Sequence, residues 1–231
     1  MDSGAPTAHH GAHRMIGQAG FGSLFDAFQR PLDVLGFVLW VLVFPVYHQI
    51  YPRLPKWLPG RTTAEQVDTL RRSWISRVLA SGDIITAAHQ TRNLNMVNTF
   101  LASSAVILIG FAANMIVGNA RAEDPATIAR VVLIIILLAV AFSYFVTSLR
   151  HLGHFTLTIG ADPALVDRLH GSAADYFSGL IARASLRFTQ GLRALYSVFP
   201  LFLWLYDPWL FVTVTGLWAI WFLAQDFPRR S

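Results

Sequence analysis

The sequence has no cysteine and carries few charged residues. Without cysteine, disulfides, thiolate metal sites and cysteine nucleophiles are excluded. Charged residues make up only 13% of the chain, whereas a soluble domain carries about a quarter. Every cation except Lys56 is an arginine, and the formal net charge is +5. In an apolar chain such an excess usually reflects membrane topology, so no nucleic-acid partner is predicted.

Known catalytic motifs are missing as well. The chain has no phosphate-binding glycine-rich loop, no Gly-x-Ser-x-Gly elbow and no His-Glu-x-x-His pair. Its 13 acidic residues are scattered along the chain, so the sequence does not favour a catalytic site built from paired carboxylates. The sequence therefore argues against an enzyme.

Apolar residues are abundant instead. Hydrophobic types make up 54% of the chain, and the mean hydropathy is +0.48. A soluble core of this size cannot hide so much apolar surface, whereas lipid removes the need for polar cover. The sequence therefore predicts an all-α fold, a polytopic transmembrane helix bundle forming one domain over residues 32–227. A flexible N-terminal tail (1–31) and a short basic C-terminal tail (228–231) are expected to flank it.

Three apolar runs are long enough to cross a bilayer, which takes about 20 residues. They lie at residues 32–51, 96–117 and 130–150. A further run, residues 194–225, is interrupted by Asp207 and Pro208, and Asp-Pro is a signal for a turn and a helix start. We interpret this region as two helices, residues 186–205 and 208–226, so five spans are favoured. Four spans with an interfacial segment remain the alternative.

With five spans, the arginine-rich connections fall on one side of the membrane. The positive-inside rule then places the N-terminus outside and the C-terminus in the cytoplasm of a bacterial inner (plasma) membrane. The two cytoplasmic connections are predicted to be amphipathic helices, one starting at a Thr62–Glu65 capping box and the other at Asp162. The first has an apolar stripe at helical spacing: Val67, Leu70, Trp74 and Val78. Such helices pack under the bundle or lie on anionic lipid headgroups.

Several strings, in order along residues 32–227, resemble one family of bacterial and plant membrane proteins. They are LRRSW at 70–74, NTFLASS at 98–104, FVTSLR at 145–150, GLRALY at 191–196 and FLWLYDPW at 202–209. The chain is similar in them to the family called domain of unknown function 599, and it departs from the family's pattern at His151, Gly153 and Asp207. The resemblance implies a multi-span helical membrane protein, and it implies no chemistry.

Polar side chains from four of the five spans are predicted to converge at one depth, near the cytoplasmic leaflet. This polar layer consists of His48, His89, Arg92, Asn95, Asn98, Arg150, His151, His154, Gln190 and Arg193. Polar groups inside a membrane often mark a ligand, ion or proton site, but near helix ends they also serve as interfacial anchors. Arg193 should lie somewhat inside the membrane and seek a carboxylate, such as Asp83 or Asp175, or an anionic headgroup.

The histidines of this layer allow a haem interpretation. His48, His89, His151 and His154 would lie at similar depth on three helices, and a b-type haem needs two facing imidazoles. His151 and His154, however, share one helix at a spacing that suits a single metal, and no Glu-x-x-His motif accompanies them. No metal site and no cofactor is therefore predicted, and a b-type haem is an alternative.

The second span carries a stripe of small and polar residues: Asn98, Ala102, Ala105 and Ala112. Small residues let helices approach closely in lipid, so the stripe is either an internal packing surface or a contact between copies of the chain. The function favoured by the sequence is that of an accessory or scaffold subunit that packs with itself or with a larger membrane complex. The alternatives are a small transporter or channel module with a polar anion or ion site, and a b-type haem electron carrier.

Overall fold

The computed structural model describes residues 30–50, 63–118 and 124–226, and every regular element in these ranges is helical. The elements are α1 (Pro31–Val41), a π-helical turn (Leu42–Val46), α2 (Tyr47–Ile50), α3 (Thr63–Ser81), α4 (Ile84–Gly118), α5 (Pro125–Thr158), α6 (Pro163–His170), α7 (Ala173–Trp204) and α8 (Pro208–Asp226). The prediction of an all-helical fold is thus confirmed for these ranges. The Thr62 cap, most of the N-terminal tail and the whole C-terminal tail lie outside the described residues.

Proline determines the shape of the first helix. Pro31 occupies the first helical position, where its missing N–H is not needed. Pro45 lies inside the helix, where it removes a backbone hydrogen bond, and here the chain forms the wider π-helical turn before returning to α-helix in α2. Phe44 in the turn and Trp40 just before it are both buried.

α4 and α5 contain 35 and 34 residues. In the described part of the chain, these two helices are long and apolar enough to cross a membrane by length and composition. Two shorter apolar helical stretches cover Pro31–Val46 and Pro208–Phe222. α5 starts at a strong cap, because the Asp124 carboxylate accepts hydrogen bonds from the backbone N–H groups of Ala126 and Thr127.

The Asp207–Pro208 signal lies at a break between two helices. α7 ends at Trp204, and the Asp207 carboxylate accepts the backbone N–H of Trp209 at 2.6 Å, so it caps α8. The helix predicted at residues 186–205 is the second half of α7, which begins earlier, at Ala173. Gly171 separates α6 from α7 with a positive φ of 85°, a conformation that glycine adopts without strain.

α7 is the central helix of the bundle. It packs against α5, α8, α3 and α6, whereas α4 packs mainly on α5 and α1 mainly on α8. Close approach to α5 needs Gly191, because a Cβ there would lie 2.7 Å from the ring of Phe145. A Cβ at Gly36 of α1 would likewise lie 2.7 Å from the ring of Phe211 of α8. These two glycines allow the helices to pack at short distance.

The interior contains two main apolar clusters. The larger one joins α1 and its π-helical turn, α4, α5, α7 and α8, and it includes Trp40, Phe44, Leu138, Leu201, Trp204 and Phe211. The second joins α3, α6 and α7 to the end of α5, with Ile75, Phe155 and Phe177 at its centre. The predicted amphipathic connections therefore pack against the rest of the bundle through this second cluster.

The buried face of α3 differs from the predicted stripe. Val78 is buried and Trp74 half-buried, but Leu70 is 70% exposed and Val67 is also exposed. Ile75 and the side chain of Arg71 take the inward positions instead. The inward face is rotated because α3 packs on α7, where Ser185 bonds Arg71.

Candidate functional site

The residues of the predicted polar layer are distributed over separate places. Asn98, Gln190 and Arg193 are buried, Asn95 and His151 are half-buried, and the others with described side chains are exposed: His89, Arg92, Arg150 and His154. The side chain of His48 lies outside the described residues. The buried members define two cavities, one around Arg193 and one around Asn98.

Arg193 of α7 lines a cavity of about 150 Å³ together with Trp40, Phe44, Pro45, Leu137, Val140, Tyr144, Ala194 and Ser197. Arg193 is only 8% exposed. Its guanidinium carbon lies 5.6 Å from the ring centre of Tyr47 and 5.4 Å from that of Phe222, which are cation–π distances. The cavity is therefore an apolar, aromatic pocket with a cation at its wall.

The two acids predicted as partners of Arg193 are engaged elsewhere. Asp175 accepts a hydrogen bond from Arg72 at 3.1 Å, and both side chains of this pair are largely exposed. Asp83 accepts the backbone N–H of Thr86 at the start of α4. Neither acid lines the cavity of Arg193.

The second cavity, of about 190 Å³, lies between α3, α4, α5 and α7, and we call it the Arg71 cavity. It is lined by Arg71, Leu94, Asn98, Ser148, Leu152, Ile181, Ala184, Ser185 and Phe188. Arg71 donates to Ser185 Oγ at 3.1 Å, and Ser148 donates to the Ala184 carbonyl at 2.8 Å. Asn98 donates to the Leu94 carbonyl at 3.1 Å, while its Oδ1 is buried with no hydrogen-bond partner among the described residues.

A third group of polar residues lies on an open groove between α4 and α5. His89, Arg92 and Asn95 line it together with Thr156. His89 and Arg92 are exposed, so the groove is accessible from outside the bundle.

A buried ion pair at the opposite end of α5 was missed by the sequence analysis. Asp33 of α1 is 1% exposed and accepts hydrogen bonds from Trp204 Nε1 at 2.6 Å and from Arg130 at 3.3 Å. Arg130 also donates to the Trp204 carbonyl at 3.2 Å and lies 4.6 Å above the indole ring. The sequence did contain a signal for this pair. Asp33 lies in the first turn of one predicted span and Arg130 at the start of another, so both should lie at the same depth in the membrane.

The small-residue stripe of α4 is buried within the chain. Asn98, Ala102, Ala105 and Ala112 are all buried. Ala102 packs with Ala141 and Phe145, and Ala112 belongs to the larger cluster with Val131 and Ile134. The stripe is thus the surface through which α4 meets α5.

The described histidines do not form a metal-ligand cluster. In the ranges that the structure describes, no group of three or more His, Asp or Glu side chains is placed to hold a metal ion. His89 lies on α4, and His151 and His154 lie on α5. The b-type haem alternative stays a prediction, because nothing in the geometry of these residues tests it.

A family model described as "Protein of unknown function, DUF599" matches residues 35–231. The match confirms the resemblance seen in the sequence strings. Comparison with curated proteins and with solved structures found no match.

Proposed function

Because the chain belongs to this family of unknown function, DUF599, we propose a role from its own geometry. It is an integral protein of the bacterial inner membrane that crosses the bilayer five times. It acts as an accessory or scaffold subunit by helix packing with itself or with a larger membrane complex. The spans are α1 with its continuation through α2, then α4, α5, α7 and α8.

The lengths and surfaces of the helices support the membrane placement. At 1.5 Å per residue α4 is about 52 Å long, well above the roughly 30 Å of a hydrocarbon core. Its outward side exposes large apolar residues along the whole length, among them Ile85, Phe100, Ile107 and Val117. Large apolar side chains exposed over this length are unfavourable in water but suited to lipid or to another apolar helix.

The distribution of charge supports the proposed orientation. Arg71, Arg72 and Arg77 of α3 lie in the connection before α4, and Arg183 and Arg187 lie on the part of α7 that packs near α3. An excess of arginine on one side is the mark of a cytoplasmic face. The N-terminus is then outside and the C-terminus inside.

The observation that carries the scaffold role is the outer face of α4, defined by Thr99, Ser103, Gly110 and Asn114. All four are exposed, and their spacing puts them in one line on the helix side away from α5. Hydroxyl and amide groups facing acyl chains are unfavourable, whereas a second helix can satisfy them. A Cβ added at Gly110 would meet nothing within 4 Å, so the helix backbone is open to close approach there.

Site-specific crosslinking tests this role directly, since the chain has no cysteine of its own. Ser103→Cys should form a disulfide-linked dimer on mild oxidation in membranes. Ser143→Cys, at an exposed serine of α5 that lies off the outer face of α4, should not. The scaffold proposal would be wrong if the protein were purely monomeric in detergent and Ser103→Cys formed no crosslink to a second copy or to another protein.

A glycine substitution separates helix packing from lipid contact. Gly110→Ile adds bulk where a partner helix would approach, and we expect it to abolish the Ser103→Cys crosslink. Gly216→Ile makes the same change on α8, where the space is equally open, and should leave the crosslink intact. Equal effects of the two variants would point to a general loss of fold.

A transporter or channel module is the second candidate, and the Arg193 cavity is the observation that favours it. A buried guanidinium beside a cavity of about 150 Å³ offers an anion a place inside the bundle. Proteoliposomes should then move a small anion, and Arg193→Gln should stop the flux while Arg183→Gln, at an exposed position, should not. Absence of any flux from the unmodified protein would exclude this candidate.

A further inference from the structure

We propose that the Arg71 cavity binds a phosphate group that carries a neighbouring hydroxyl or amino group, as phospholipid headgroups do. The lipid source of this ligand rests on the membrane placement proposed above, and it does not depend on self-association of the chain. The inference is carried by two side chains that line the cavity and differ in hydrogen-bonding character, Arg71 and Asn98.

The anion-binding residue is Arg71, whose side chain is 15% exposed. It donates one N–H to Asp68 at 3.3 Å and another to Ser185 Oγ, which leaves further donors of its five for a ligand. Asp68 also contacts Arg72 at 3.5 Å, so its carboxylate is shared between two guanidinium groups, while Arg72 has a second partner in Asp175 at 3.1 Å. Burial lowers the pKa of Arg71 while Asp68 raises it, and the group stays charged.

Asn98, which also lines the cavity, lacks a hydrogen-bond donor for its amide oxygen in the part of the chain that the structure describes. Asn98 is 1% exposed, and its amide nitrogen is committed to the Leu94 carbonyl. The oxygen of the same amide must therefore point away from Leu94, and it has no partner among the described residues. A buried acceptor left in this state is costly, and a ligand hydroxyl or ammonium group would satisfy it. Ser148, which donates to Ala184, keeps lone pairs for the same purpose.

The size and rim of the cavity suit a headgroup. Its volume of about 190 Å³ holds a small polar group and excludes a whole lipid. The remaining lining is apolar, with Leu94, Leu152, Ile181 and Phe188, and Leu94 is 46% exposed at the rim. Acyl chains attached to the bound phosphate can therefore continue along an apolar surface.

Native mass spectrometry on the full-length protein provides the test. The protein is delipidated, incubated with phosphatidylglycerol or phosphatidylethanolamine, and compared with phosphatidylcholine, whose quaternary ammonium cannot donate an N–H hydrogen bond. We expect one lipid to be retained from the first two and about tenfold weaker retention of the third, the factor expected for one lost charge-assisted hydrogen bond. The same spectra report the oligomeric state, so failure of lipid binding is distinguishable from failure of the scaffold proposal.

Three variants define the site. Arg71→Gln and Asn98→Leu, the second keeping the branching of the side chain, should each reduce retention about tenfold or more. Arg72→Gln is the matched control, because Arg72 shares Asp68 but does not line the cavity. An equal loss in Arg72→Gln would assign lipid retention to surface charge and overturn the proposal, provided that all variants remain monodisperse and helical.

Soluble probes distinguish the sources of the phosphate. Saturable binding of glycerol phosphate that depends on Arg71 and Asn98, with no lipid retained, would support the site and assign it to a soluble phosphate ester. Inorganic phosphate should bind more weakly than glycerol phosphate, because it lacks the neighbouring hydroxyl. If neither lipid nor glycerol phosphate binds, Asn98 is satisfied by water alone and the proposal is wrong.

Discussion

At the scale of single residues, the strongest electrostatic feature is the buried carboxylate of Asp33. It receives the Trp204 indole N–H, the Arg130 guanidinium and the backbone N–H of Arg30. The Arg72–Asp175 pair, by contrast, is a largely exposed ion pair. The two pairs differ in how far their charges are removed from water. An exposed pair contributes about 0–1 kcal/mol to the stability of the fold. Removing one partner of a buried pair lowers that stability by about 3–5 kcal/mol.

We therefore expect Asp33→Ala to destabilise the protein by about 3 kcal/mol or more, because Arg130 would keep a buried charge without its carboxylate. Asp175→Ala should cost less than about 1 kcal/mol. Thermal unfolding in detergent measures both. The double variant Asp33→Leu with Arg130→Met should recover much of the loss, and additive effects of the two changes would contradict a direct pair.

At the scale of elements, the sequence predicted helix breaks better than helix faces. Asp162 and Asp207 were predicted to start helices, and both cap one, because the chemistry of a cap is local. Asp124 also precedes a proline and caps α5, although no helix start was predicted there. The inward face of α3 was placed wrongly at Leu70, since which side is buried depends on the partner helix. The extent of α7 was likewise underestimated, because its first half is amphipathic and packs on α3 and α6.

The close contact between α5 and α7 depends on a glycine at position 191, which has no side chain. Gly191→Ala should destabilise the protein by about 1–3 kcal/mol, because its methyl group would lie 2.7 Å from the Phe145 ring. Gly179→Ala on the same helix is the control. Its Cβ would meet only the end of Arg183 at 3.9 Å, so we expect a small gain from helix propensity.

Calorimetry or denaturation in detergent gives the two free-energy changes. Phe145→Leu should partly restore the Gly191→Ala variant by making room for the methyl group. If Gly191→Ala were as stable as the unmodified chain, α5 and α7 would have to lie further apart than the structure places them.

At the scale of the whole molecule, the sequence predicted the all-helical fold, and the structure distributes the predicted polar layer over separate places. Composition and apolar runs were sufficient for a helical bundle, since they depend only on residue type. The polar layer was assembled from depth alone, and depth does not determine the direction in which a side chain points. Arg193 and Asn98 therefore line different cavities, and Arg71 of α3, which is not part of the predicted polar layer, lines the cavity of Asn98.

The proposed five-span topology predicts which residues an impermeant thiol reagent can reach. Tyr206→Cys, in the exposed turn between α7 and α8, should be labelled in intact spheroplasts. Ser81→Cys, exposed at the end of α3, should be labelled only after lysis, because it lies on the arginine-rich side. Labelling of both positions from the same side would contradict the five-span arrangement.

The ion pair of Asp33 also has a consequence for synthesis. Asp33 leaves the ribosome 171 residues ahead of Trp204, its closest hydrogen-bond donor, and 97 residues ahead of Arg130. Until α5 and α7 have been made, this carboxylate has neither partner. Chains released before α7 would keep an incompletely satisfied acid near the start of their first helix. Such fragments should be unstable in the bilayer and prone to degradation, which links completion of the chain to its survival.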